Sequence, residues 1–204
     1  MDNTEEQQVE RLKEFWKEHG KGIVAGVVIG FGLFYGWRYY DQHTLETQER
    51  ASANYEQLTS GLSEGSENAV LEAQNFVSEN PENVYAQLVA FQLAQHAAER
   101  ADLATAVTVL QSVVDNADDE NMSALASIRL ARVLIAQEQL DTALSLVQKP
   151  LPEAYAGFAA ELEGDILAEQ GNTEEARAAY ERALQAGESL TPALQMKLNS
   201  LAKS

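Results

Sequence analysis

The chain has 204 residues, no cysteine and a net charge of −18. Without thiols it forms neither disulfides nor Cys-ligated metal sites. Nearly all of the acidic excess follows Arg38, which sets the chain against phosphate backbones and excludes nucleic acid as an expected partner.

Residues 1–21 read as an N-terminal segment with a short amphipathic helix. Thr4 and Gln7 make a capping-box pattern, and Val9, Leu12, Phe15 and Trp16 gather on one side. Gly20 is expected to end this helix. With Lys13, Lys17 and Lys21 close by, its apolar side suits a lipid interface.

The run from Gly22 to Trp37 carries no charge. As a helix it spans roughly 24 Å against a hydrocarbon core of about 30 Å. Lys21 and Arg38 can reach the headgroups while Trp37, Tyr39 and Tyr40 form an interfacial belt. Residues 22–40 are therefore expected to be a single transmembrane helix. A cleaved signal peptide would end in small residues, and this run ends in Trp-Arg-Tyr-Tyr. A buried core helix would carry a polar face, and this one has none. Arg11, Lys13, Lys17 and Lys21 precede the span, whereas only Arg38 and Arg50 follow nearby. That imbalance places the N-terminus in the cytoplasm and the rest of the chain across the membrane. Gly22, Gly26, Gly30, Gly32 and Gly36 fall within an arc of about 160°, a packing face for another transmembrane helix. The alternative is that glycine is simply common in spans.

Residues 41–65 read as a helical stalk and first array helix, with Ala51, Tyr55, Leu58 and Leu62 at helical spacing and a turn at Gly61, Gly65 and Ser66. Residues 66–204 read as helix after helix: 67–79, 82–99, 103–115, 121–138, 140–149, 153–170, 173–186 and 192–202. Asn80-Pro81 and Thr191-Pro192 pair a cap with a first-turn proline. Gly171 ends one helix, and Asn172 with Glu175 can cap the next. No strand pattern is present, so the class is all-α.

These helices repeat. In Gly157–Leu190, Gly164 is the small residue of a first helix, Gly171 the turn, and Ala176, Tyr180 and Ala183 the small–large–small face of a second. The unit resembles a tetratricopeptide repeat. Its skeleton recurs at Ala131, Ala143 and Val147, at Ala94, Ala106, Leu110 and Val113, and, degenerate, at Ala69, Ala73, Phe76 and Pro81. Small residues let paired helices approach, and each pair must stack on the next to bury its apolar face. The expected fold is a tetratricopeptide-like α-solenoid of about four helix pairs. A capping helix from Pro192, with Leu194, Leu198 and Leu201 on one side and Lys197 and Lys203 on the other, ends it.

No chemistry stands out. His19, His43 and His96 share no ligand spacing, and the carboxylates decorate solvated helix faces. No catalytic, cofactor-binding or metal-binding residue is expected. What remains is a surface. The repeat phase directs Leu88, Phe91 and Gln95, then Leu125, Ile128 and Arg132, then Phe158, Glu161 and Asp165 towards the concave side. That stripe suits an extended apolar segment; alternatively its large residues only pack on neighbouring helices.

The charged N-terminal helix, the span ending in GWRYY, the segments ENPENVYAQLVAFQLAQ, DENMSALASIRLARVLIA and GDILAEQGNTEEARAAYERAL, and the ending LTPALQMKLNSLA together resemble the YfgM family. Those inner-membrane proteins of Gram-negative bacteria are ancillary subunits of the SecYEG translocon. The resemblance implies a periplasmic repeat domain over residues 66–204. It implies association with SecYEG and with a PpiD-type membrane-anchored chaperone, and a role in passing secreted polypeptide clients to periplasmic folding factors. Membrane lipid is the remaining expected partner, and no catalytic residue is implied. Two classes stay open: a translocon-associated chaperone or adaptor, and an anchored scaffold that assembles another envelope complex without binding clients.

Overall fold

The computed structural model describes the backbone of residues 3–186 and 191–201, with all their side chains except those of 3–12, 14, 18, 23, 25, 27, 42–49 and 191. The capping box at Thr4, the side chains of Val9, Arg11, Leu12 and His43, and Lys203 lie outside the described residues. Among the described residues there are nine α-helices and no strand. They are α1 Asn3–Ser63, α2 Glu67–Glu79, α3 Val84–Glu99, α4 Leu103–Asn116, α5 Glu120–Ala136, α6 Leu140–Val147, α7 Glu153–Glu169, α8 Thr173–Ala186 and α9 Thr191–Leu201. The chain divides into two compact units, Met1–Arg50 and Ala51–Ser204.

In the first unit Gly20 does not end the helix, contrary to the sequence expectation. It lacks the positive φ of a C-terminal cap, and the Trp16 indole lies over its bare Cα, 3.4 Å from where a Cβ would stand. A mid-helix glycine costs only about 1 kcal/mol relative to alanine, too little to break an apolar helix. Beyond it, Val24, Val28, Ile29, Phe31, Leu33, Phe34, Tyr35 and Trp37 are all exposed. Among the described residues no helix is long and apolar enough to cross a membrane. Ile23, Ala25 and Val27, which supply much of the apolar character of 22–37, have side chains outside that set.

In the second unit each helix from α2 to α9 packs on its sequence neighbours, and α2 also meets α4 and α5 meets α7. Alternate helices therefore share a layer. Residues 51–63 of α1 with α3, α5 and α7 form one layer, and α2, α4, α6 and α8 the other.

The turn within each pair is the same device four times. Gly65, Ala101, Glu138 and Gly171 hold φ of 74°, 61°, 60° and 83°. In each case the next residue's N–H reaches back to a carbonyl of the preceding helix: Ser66 to Gly61, Asp102 to Ala97, Gln139 to Leu134 and Asn172 to Leu167, at 3.0, 2.9, 2.9 and 2.8 Å. This is a Schellman motif, which satisfies the orphan carbonyls of a helix end. Only two of the four use glycine, so two turns escape a search for glycine.

Helices α2, α4 and α5 begin on side-chain caps. Ser66 Oγ accepts from Ala69 N, Asp102 Oδ1 from Thr105 N, and Asp119 Oδ1 from Asn121 N and Met122 N. Asn80-Pro81 is not the start of α3: Asn80 closes α2, Pro81 sits in the turn, and Asn83 Oδ1 caps α3 by accepting from Tyr85 N and Ala86 N. The buried Gln87 amide donates to the carbonyls of Pro81 and Asn116, which ties that turn to the end of α4.

Small residues set the spacing of the pairs. Ala69, Ala106, Ala143 and Ala176 are all buried at equivalent positions, and a methyl group on Gly61 would stand 2.6 Å from Ala69 Cβ. One core runs from Leu58 through Leu93, Leu110 and Leu130 to Ile166. A second, around Tyr180 and Leu194, seats α9 on the last pair.

Candidate functional site: the concave groove

The layer made by residues 51–63, α3, α5 and α7 faces an open groove of about 410 Å³ lined by Tyr55, Leu88, Phe91, Gln92, Asp119, Asn121, Met122, Leu125, Arg129 and Tyr155. Tyr55 and Tyr85 meet at its edge with ring centroids 6.1 Å apart. Mature caps position the walls: Asp119 fixes the first turn of α5, and with it Met122 and Leu125.

The structure places the residues singled out from sequence unevenly. Leu88 and Leu125 are half-buried and line the groove, and Phe158 is 37% exposed at the next equivalent position. Gln95 and Arg132 are exposed and line a smaller adjoining recess of about 220 Å³ with Ala94, Ala98, Leu110 and Val133. Ile128 is a correction, because it is 4% exposed, belongs to the core and lines neither recess, while Phe91, 6% exposed and also part of the core, still lines both. The open stripe is rotated by about one residue along each helix, to Tyr85, Leu88 and Gln92 on α3 and Met122, Leu125 and Arg129 on α5. The face of Phe91 that would meet the groove is covered by Arg129, whose guanidinium carbon stands 4.7 Å from the ring centroid. Glu161 and Asp165 are half-buried and both bind Lys197 of α9, at 2.7 Å each.

Sequence reasoning missed Tyr85, Met122 and Tyr155. They share one repeat phase and are all large, a signal that was available in the chain. Arg129 carries no such signal, since its role depends on reaching across to the neighbouring helix.

The junction of α7, α8 and α9 is a polar cluster. Tyr180 is 3% exposed, and its hydroxyl donates to Asp165 Oδ1 at 2.8 Å. Lys197 donates to Glu161 and Asp165 and lies 5.8 Å from the Tyr180 ring centroid. Burial, then the bond to Asp165 and the charges of Asp165 and Glu161, push the Tyr180 phenol well above its ordinary range. For Lys197, burial works against the ammonium, but the bonds to Asp165 and Glu161 outweigh it and hold its pKa above that of a free lysine. Arg182 bridges to Glu163 on the outer side. This cluster joins the capping helix to α7 and α8.

Elsewhere, His19 is exposed and stacks on Phe15 at 4.9 Å. His96 is half-buried beside Thr59, Gln92 and Glu99, as read from sequence, with Nε2 buried and unbonded. Among the described residues no three His, Cys, Asp or Glu side chains are disposed to hold a metal. Gly22, Gly26, Gly30, Gly32 and Gly36 are exposed, with nothing within 4 Å of where a Cβ would stand.

Residues 13–203 match the tetratricopeptide repeat-like domain family. The protein named ancillary SecYEG translocon subunit from Escherichia coli (strain K12) is 35% identical over 202 residues, covering 97% of each chain. The chain belongs to the ancillary SecYEG translocon subunit family. Proteins of the same name from Haemophilus influenzae and Aggregatibacter actinomycetemcomitans are 32% and 30% identical, again over 97% of each chain. The family match takes in α1 from Lys13 onward together with all four helix pairs and α9, so the groove lies inside the shared domain.

Proposed function

We propose that this member of the family is a non-catalytic, single-pass inner-membrane protein that works beside the SecYEG translocon. In this reading residues 22–40 cross the membrane with the N-terminus in the cytoplasm, and the helix pairs stand in the periplasm. The concave groove holds a secreted polypeptide and passes it to a folding factor of the PpiD type. The observation that carries the reading is the match, over almost the whole chain, to proteins named as translocon subunits. Two further features support it. Large exposed apolar side chains surround α1 between Val24 and Trp37, a surface that a soluble monomer does not keep. The groove offers aromatic and aliphatic walls and no reactive constellation. The exposed glycines at 22, 26, 30, 32 and 36 serve as a close-packing face for a partner helix in the membrane.

A photo-crosslinking residue at Leu125, tested with an arrested secretory chain, separates this from the scaffold alternative. Adducts to the arrested chain are expected. Adducts to envelope proteins alone would establish the scaffold instead. A reporter active only in the periplasm and fused after Ser204 reads the topology, and it should be active.

A further inference from the structure

The groove carries charge that the chain does not neutralise. Within a chain of net charge −18, Arg129 and Arg132 stand exposed one turn apart on α5. Neither makes an ion pair or hydrogen bond among the described residues. Lys197 and Arg182, by contrast, are both bound to carboxylates. Arg129 lies over Phe91, which occupies the face of its guanidinium and leaves the N–H edge open. That edge fits a carboxylate through two parallel bonds.

The same two side chains also divide the concave surface. Phe91 and Arg129 line both the larger recess, with Leu125 and Tyr155, and the smaller one, with Arg132 and Val133. A cationic ridge therefore stands between two apolar hollows. The acidic side chain at the groove, Asp119, is engaged in capping α5. The remaining acidic surface acts weakly beyond about 8 Å at physiological salt, so contact pairs decide what binds.

We propose that the groove selects a polypeptide segment in which a carboxylate side chain is flanked by apolar or aromatic residues. The carboxylate sits on Arg129 and Arg132, and an apolar side chain enters the recess on either side. This rests on the reading of the concave face as the binding groove, and it names what that groove prefers. A segment with lysine in place of the carboxylate is disfavoured, because it would meet the two guanidinium groups directly.

The test uses the full chain in detergent and three end-capped peptides: acetyl-Phe-Asp-Leu-Asp-Phe-amide and its counterparts with Asn or Lys in place of both Asp residues. Fluorescence competition should show the Asp peptide binding at least about tenfold more tightly than the Asn peptide, the scale of one charge-assisted bond. Arg129→Gln and Arg132→Gln should each reduce that preference, read as the ratio of Asp-peptide to Asn-peptide affinity within each variant. Melting curves matching the parent chain show that both variants are folded. Equal or tighter binding of the Asn or Lys peptide, or a preference that survives both substitutions, overturns the proposal. Leu125→Ser distinguishes this failure from that of the groove itself. If it weakens all three peptides while Asp is not favoured, the groove stands and the selectivity falls. If no peptide binds, both fall.

Discussion

Gly164 packs against Tyr180 within the last helix pair, and replacing it by alanine gives a direct check of how the pairs are spaced. A Cβ there would stand 2.4 Å from Cδ1 and Cε1 of Tyr180 and 3.0 Å from Cγ. Ordinary contact needs more than 3.4 Å, so the ring must move by about an ångström. It has little room, being buried and tied by its hydroxyl to Asp165. Overpacking of this kind costs about 1–3 kcal/mol, and weakening the hydrogen bond adds about 1 kcal/mol. Against this, alanine gains about 1 kcal/mol of helix propensity over glycine. The net expectation is a loss of about 1–3 kcal/mol, or roughly 2–4 °C in Tm per kcal/mol for a domain of this size. Equivalent positions show the remedy, since Ala94 goes with Leu110 and Ala131 with Val147. In a Tyr180→Leu background, Gly164→Ala should therefore cost little or even stabilise. Thermal and urea melts of the four chains close the double-mutant cycle. If Gly164→Ala is as stable as the parent, or costs the same with and without Tyr180, the proposed contact does not set the spacing.

The remaining predictions concern turns, pH and the glycine face. Ala101→Gly and Glu138→Gly should each raise stability, by up to about 1 kcal/mol, because they relieve left-handed backbone, while Gly171→Ala should lower it by about as much; urea melts read all three. Alkali should destabilise the capping helix. Tyr180 and Lys197 both hold their protons more firmly when folded, so their contribution is complete below the unfolded values of about 10 and is lost as pH rises through the folded ones. Lys197→Met should flatten that alkaline limb, and an unchanged pH profile would remove Lys197 from it. Gly26→Leu and Gly30→Leu should weaken co-purification with a membrane partner while keeping the protein in the membrane fraction, and unchanged co-purification would reduce these glycines to ordinary span composition.

Much of the fold was legible because its devices are local. Gly171 at its turn, Gly164 as the small residue of its helix, and alanines at matching positions each report a constraint carried by a few neighbouring residues. The turns at Ala101 and Glu138 were harder. Their left-handed backbone is imposed by the stacked pairs, and neither residue type announces it. The groove was legible in its helices but not in its register. On α3 the buried residues are Ala86, Gln87, Val89, Ala90, Phe91, Leu93, Ala94 and Ala97, which surround most of the helix. A helix packed on three sides has weak periodicity, so its pattern does not identify the open face. Gly20 failed as a stop signal for a related reason: a glycine ends a helix when the backbone turns left-handed, and here the apolar run beyond it keeps the helix going.

The last two repeats show why the charge on α5 points outward to a partner. Counted by repeat phase, Ile128 and Arg132 on α5 correspond to Glu161 and Asp165 on α7. At the fourth pair this site is acidic, and the chain supplies its own counter-charge through Lys197 of α9. That ion pair is half-buried and helps hold the capping helix in place. At the third pair the site is cationic through Arg132, reinforced by Arg129 one turn away, and among the described residues no helix brings a carboxylate to it. Acidic residues make up the larger share of the charged side chains, so an internal partner was readily available in composition. Its absence at a surface that is otherwise apolar and concave leaves two desolvation-ready guanidinium groups facing an open groove. A segment from another polypeptide can complete the third site as α9 completes the fourth, by laying apolar side chains on the walls and one opposite charge on the ridge.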